Sequence, residues 1–129
     1  MIFPELLIAW TVTSDARFKR NIHGLPSALP FINALRPVSY QRINDDPLRF
    51  ENGFIAQELE AMLTKLGIPS DGIISKDDKG YYSIRYNDFI PVLVKGMQEQ
   101  QMVIDKQNEN LNDLQQQINE LKKLIGVKQ

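Results

Sequence analysis

The clearest pattern in the chain is a seven-residue repeat of apolar positions toward its C-terminal end. Ile90, Met97, Ile104, Leu111, Ile118 and Ile125 recur at that interval, and Leu93, Leu114 and Leu121 fall three positions later, where Gln100 and Gln107 also fall. An a/d pattern held over about five heptads predicts one long helix from about 90 to 125 with a narrow apolar seam. Such a seam needs partner helices in a left-handed supercoil, so the chain is expected to associate through a coiled coil. Isoleucine at a with leucine at d suits a parallel dimer, and the two glutamines at d weaken that preference. Asn87 or Asp88 is placed to cap this helix, and Pro91 lies in its first turn.

Upstream the periods are shorter. Ile55, Leu59, Met62, Leu63 and Leu66 make the apolar stripe of a helix over about 54–66, which Gly67 ends and Pro69 follows. Leu29, Ile32 and Leu35 share one face of a helix from Ser27 to Leu35. Val38 to Ile43 alternates as a strand, with Val38, Tyr40 and Arg42 on one side, and Asn44 to Pro47 reads as a solvated turn. A hairpin is predicted over about 72–86, its strands flanking Asp77 to Gly80. A lone hairpin is marginal in water. It either caps its own domain or protrudes along another protein. Leu7 to Thr13 has strand propensity, and Ala16 to Arg20 suits a short helix or turn.

The fold class is therefore α+β and mostly helical: a small globular part, a protruding β-hairpin and a long C-terminal helix. Residues 1–13 read as the end of an upstream segment, 14–89 as the globular domain and 90–125 as the coiled-coil helix. Met1 to Trp10 lacks the basic start of a secretory signal, and Pro4 and Glu5 interrupt its apolar run.

Composition narrows the chemistry. A length of 129 residues suits one domain, and 43% hydrophobic residues supply a core. A net charge of -1 without a basic excess argues against a nucleic-acid partner. No apolar run is long enough to span a membrane, so no membrane partner is expected. With no cysteine and His23 as the one histidine, neither a disulfide nor a zinc site is expected, and no cofactor is implied.

One pair carries candidate chemistry. Ser14 and Lys19 stand five residues apart. A serine attacks only when a base takes its proton, and a lysine serves as that base only as a neutral amine. The plain alternative is that Ser14 and Asp15 are helix caps and Lys19 a surface residue.

The sequence around the pair is more specific than the pair. Ser14-Asp15-Ala16-Arg17-Phe18-Lys19-Arg20-Asn21-Ile22 resembles the opening signature of the intramolecular chaperone auto-processing domain, the endosialidase-type self-cleaving peptidase that ends phage tail spikes, tail fibres and neck appendages. Leu35 to Tyr40 resembles that family's L-x-P-V-x-Y strand, Gly53 to Leu59 its G-x-I-A-Q-E helix start, and Tyr82 to Leu93 its tyrosine strand and the start of its last helix.

The resemblance implies a homotrimer that holds its own upstream fibre or stalk segment in register and then cuts itself off. Ser14 would be the nucleophile and Lys19 the general base. The family's cut corresponds to the Ser14–Asp15 bond. Attack by the Ser14 hydroxyl on its own carbonyl needs a strained four-membered ring, whereas attack on the Thr13 carbonyl passes through an easier five-membered one, so Thr13–Ser14 stands as the other bond. Asp15 would orient the pair or cap the turn. Arg17 and Asn21 would supply donors to an oxyanion or a cleaved carboxylate. Glu58 would sit beside the Lys19 amine. The setting implied is the host cytoplasm during virion assembly, with the domain released from the mature fibre. The rival expectation is a non-catalytic coiled-coil trimerisation module.

Overall fold

The computed structural model describes residues 12–126. In order these form a 3-10 turn at Ala16–Phe18, helix α1 (Leu29–Ala34), strands β1 (Val38–Tyr40) and β2 (Glu51–Gly53) and helix α2 (Ala56–Leu66). Strands β3 (Ile74–Lys76) and β4 (Tyr82–Ile84), a 3-10 turn at Tyr86–Asp88 and helix α3 (Phe89–Leu124) follow. The two strand pairs are separate antiparallel hairpins. Up to residue 11, the strand expected at Leu7 to Thr13 and the upstream segment lie outside the described residues; Val12 and Thr13 are irregular.

Helix α1 is shorter than Ser27 to Leu35. Pro37 pushes the residue before it away from helical geometry, and Leu35 is already extended at φ -68, ψ 145. Its inward face is also set differently: Ala28 and Phe31 are buried, with Ile32 and Leu35 half-buried beside them. The apolar side spans i, i+3, i+4 and i+7, and the large ring of Phe31 decides which residues point inward.

Strand β1 stops at Tyr40 rather than Ile43 and pairs with β2, which the sequence did not suggest. The register sets Val38 opposite Gly53 and Tyr40 opposite Glu51. Glu, Asn and Gly are all depleted in strands, so this pairing comes from tertiary context rather than propensity.

Helix α2 buries Leu59 and Leu63, with Met62 half-buried, while Ile55 and Leu66 at its ends stay exposed. Gly67 ends it in the left-handed conformation at φ 70, and the amide of Ile68 reaches back to the Leu63 carbonyl at 2.9 Å.

The second hairpin does not protrude. Ile74 is buried and Ile84 half-buried against the core, opposite each other in the ladder. The Tyr82 hydroxyl donates to Glu60 Oε1 at 2.9 Å, and Lys76 Nζ sits 4.6 Å over the Tyr82 ring. Two strands alone leave an apolar face in water, and α2 is the surface that covers it. The Asp77 carboxylate closes the tip by accepting from the amides of Lys79 and Tyr81, both at 2.9 Å.

Phe31, Leu59, Leu63, Ile74 and Phe89 form the buried cluster. Phe89 stacks on Phe54 at 5.1 Å and on Phe31 at 5.9 Å, which joins the start of α3 to both α1 and the turn into α2.

Helix α3 has 36 residues, about 54 Å at 1.5 Å per residue. Only its first turns lie on the body. Gly96 faces α1 so closely that a Cβ there would overlap the Ile32 side chain. Every residue from 101 to 118 is exposed, including the a/d positions Ile104, Leu111, Leu114 and Ile118. The accessible surface is 11497 Å², against about 7,000 Å² for a compact monomer of this mass.

Candidate active site

The segment 12–27 runs along the outside of the body, and its residues are exposed apart from half-buried Asp15. Its one regular feature is built by Asp15. The Asp15 carboxylate accepts from the Arg17 amide at 2.8 Å and from Arg17 Nη2 at 2.8 Å and Nε at 3.1 Å. Hydrogen bonding from the Arg17 side chain, then from its amide, holds the Asp15 carboxyl below its ordinary value. The backbone turns through Phe18 N to Asp15 O and Lys19 N to Ala16 O, both 3.1 Å, and leaves the turn extended at Lys19.

That reversal brings the Lys19 side chain back over the residue preceding the turn. Lys19 Nζ donates to Ser14 Oγ at 2.6 Å. The spacing of five residues is thus spanned by one 3-10 turn, with Asp15 as its cap rather than Ser14. A turn of three residues has no helix dipole to offer a developing charge. The Ser14 hydroxyl has Lys19 as its partner instead.

The other candidates fall differently. Arg17 is drawn onto Asp15 through Nε and Nη2 and so shapes the turn. Asn21 adopts the left-handed conformation at φ 55, and its carbonyl accepts from His23 Nδ1 at 3.0 Å. A carbonyl only accepts, so Nδ1 carries the proton of that contact.

Glu58 is not beside Lys19. Its carboxylate takes a two-pronged pair with Arg36, Nη2 to Oε1 at 2.7 Å and Nε to Oε2 at 3.0 Å. Hydrogen bonding from Arg36 lowers the Glu58 carboxyl below its ordinary value. Arg36 lies two residues past the end of α1 and pairs with the first turn of α2, and the guanidinium fork fits a carboxylate better than an ammonium does. Among the described residues no group of three or more His, Asp or Glu side chains could hold a metal ion.

Sequence reasoning missed one residue that bears on the site. Glu99, on α3, accepts from the Ser27 hydroxyl and the Ala28 amide, both at 2.6 Å. Its carboxyl is held low by the Ala28 amide first and the Ser27 hydroxyl second. The only hint was a helix start at Ser27 to Pro30 with no acid in its own first turn.

Compared with known families, residues 14–68 match a peptidase family described as chaperone of endosialidase. The match begins at Ser14 and covers the exposed segment, α1, the first hairpin and α2. No curated protein and no solved structure matches the chain.

Proposed function

We propose, from the premise that residues 14–68 belong to the chaperone-of-endosialidase family of self-cleaving intramolecular chaperones, that this chain trimerises an upstream fibre or spike stalk and then severs itself near Ser14. The observation that carries this reading is the 2.6 Å contact of Lys19 Nζ with Ser14 Oγ, at the first residue of the family match.

The chemistry needs the amine neutral, and burial favours that form. In a single chain both side chains are exposed, as are Phe18 (80% exposed), Ile22 and Leu25 around them. Helix α3 carries its a/d positions exposed as well. Association of three copies through α3 would cover both surfaces, and the stalk strands would be held in register while non-local contacts form. The cut then leaves a stalk without its clamp, kinetically stable because it cannot readily unfold and reassemble.

Two balanced routes fit the pair. In the first, Lys19 takes the hydroxyl proton and Ser14 Oγ adds to the Thr13 carbonyl carbon. The Thr13–Ser14 C–N bond breaks, its nitrogen takes the proton, and water hydrolyses the resulting ester to a carboxylate and the original hydroxyl. In the second, Lys19 and Ser14 direct a water onto the Ser14 carbonyl. Its oxygen bonds to that carbon, the Ser14–Asp15 bond breaks and the Asp15 nitrogen takes the proton. The family resemblance favours the second bond and ring strain the first. The setting proposed is the host cytoplasm during virion assembly.

The test is to express the chain behind a folded upstream segment and weigh the products by mass spectrometry. Wild type is expected to be cut at residue 13 or 14, and the mass tells which. Ser14→Ala and Lys19→Ala are expected to stay whole, and Glu58→Gln to be cut as wild type. Complete cleavage of either alanine variant would end the Ser–Lys reading. An intact wild type would favour a trimerisation module whose exposed Ser14 and Lys19 are inert.

A further inference from the structure

Between the exposed segment 12–27 and the rest of the described protein, the hydrogen bonding runs through one side chain. The other hydrogen bonds of the segment are local: Arg17 to Asp15, Lys19 to Ser14, and His23 to Asn21. At its end Ser27 Oγ and the Ala28 amide both donate to Glu99, across 72 and 71 residues of sequence. Glu99 stands on α3 between Met97 and Gln100, which are consecutive a and d positions of the heptad. The flank is close-packed, because Gly96, one turn before, lets α1 approach to contact through Ile32. The carboxylate therefore joins the segment that bears Ser14 and Lys19 to the helix whose apolar stripe is exposed.

We propose that Glu99 is a positioning residue for self-cleavage, a clamp that fixes the root of the Ser14–Lys19 segment to the association helix. The proposal rests on the self-cleavage reading above. Glu99 is two positions past Met97, a c position that faces away from the a/d seam and lies on the flank where α1 packs. From there Glu99 fixes Ser27 and Ala28, from which the cleavage segment departs. Without the clamp the segment swings about its junction with α1, and the dyad reaches the buried geometry less often. Orientation losses of this kind appear in rate, not in assembly.

The experiment uses the full chain behind a folded upstream segment, as wild type, Glu99→Ala, Glu99→Gln, Ser27→Ala and the Ser27→Ala/Glu99→Ala double variant. Three quantities are read: assembly mass by light scattering, cleavage rate, and hydrogen exchange at the Ala28 amide. Glu99→Ala is expected to keep the assembly mass, lose about tenfold in cleavage rate and exchange rapidly at Ala28. Glu99→Gln keeps an acceptor for the Ala28 amide and a donor to Ser27, so it is expected to restore most of the rate. Ser27→Ala is expected to fall between, and to add nothing on the Glu99→Ala background. Three results would overturn the clamp: a wild-type rate in Glu99→Ala, a loss of rate only in proportion to lost assembly, or a Glu99→Gln variant as slow as Glu99→Ala. If wild type itself is not cut, the self-cleavage reading fails and the clamp is judged separately. Protection of Ala28 in wild type that vanishes in Glu99→Ala upholds the contact, and equal exchange in both removes it.

Discussion

Replacing Ile104 with Asp separates what the chain does alone from what it does in company. In the single chain Ile104 is 46% exposed and touches no part of the body, on a stretch of α3 whose every residue is exposed. A substitution at such a surface changes the chain's own stability by about 0.5 kcal/mol or less. At an a position of a three-helix seam the sum is different. Covering the exposed half of the side chain contributes about 1 kcal/mol per helix, or about 3 kcal/mol for three copies. Each aspartate buried without a partner costs about 1–3 kcal/mol more. Together the seam loses about 6 kcal/mol at the low end, roughly four orders of magnitude in association constant. Sedimentation equilibrium at micromolar concentration, with far-UV circular dichroism and thermal melting of the body, reads both quantities. Wild type is expected to be associated, and Ile104→Asp to be a monomer whose core still melts cooperatively. An Ile104→Asp protein that sediments like wild type would refute the seam, as would a wild type that stays monomeric at far higher concentration.

Two further outcomes test the body and the ion pairs. Leu63 is fully buried at 0% exposure in the middle of α2, so Leu63→Ala is expected to destabilise the core by about 3 kcal/mol, from lost transfer energy plus the cavity left behind; a loss under about 1 kcal/mol in urea melts at fixed concentration would remove Leu63 from the centre of the packing. The carboxyls of Asp15 and Glu99 are held below their ordinary values of 3.8 and 4.5 by the groups that donate to them. Folded values below unfolded ones mean that these contacts stabilise at higher pH and are lost as pH falls through the folded values. The amide resonances of Arg17 and Ala28 are therefore expected to titrate with midpoints under 3.8 and 4.5 respectively. Midpoints above those figures would contradict the contacts.

How much of this was legible in the sequence follows from the range of each interaction. Helix α3 and the stripe of α2 were readable because apolar period and end signals such as Gly67 are local. The Ser14–Lys19 pair was singled out by the resemblance of the sequence around it more than by its spacing, and the turn that brings the two together has Asp15 as its cap, a choice between two adjacent good caps that the sequence does not make. What was lost is long-range. Strand β2 is made of residues with no strand preference and exists because β1 lies beside it. The second hairpin was expected to reach outward, yet Tyr82 and Ile74 bring it onto α2, a decision made by the surface it meets. Glu58 was considered for a place near Lys19 on resemblance and chemical need, and in the single chain Arg36 takes it in a two-pronged pair that fits the guanidinium fork. Glu99 sits at a solvent-facing heptad position, where a sequence reading sees only a polar residue.

The same exposure runs through every part of the candidate machinery. Phe18, Ile22 and Leu25 flank the Ser14–Lys19 contact in the open, and the a/d residues of α3 stand in the open too. On the proposed reading, the exposed Ser14–Lys19 contact is not yet in the water-excluded setting that the chemistry needs. Covering that contact needs apolar surface from elsewhere, and the exposed a/d stripe of α3 is the surface proposed to bring further copies of the chain. In the proposed reading, activation and association would draw on one event, the removal of water from both surfaces. On that proposal no separate switch sets the timing: the cut would wait for the copies to align, because alignment is what would cover the Ser14–Lys19 contact.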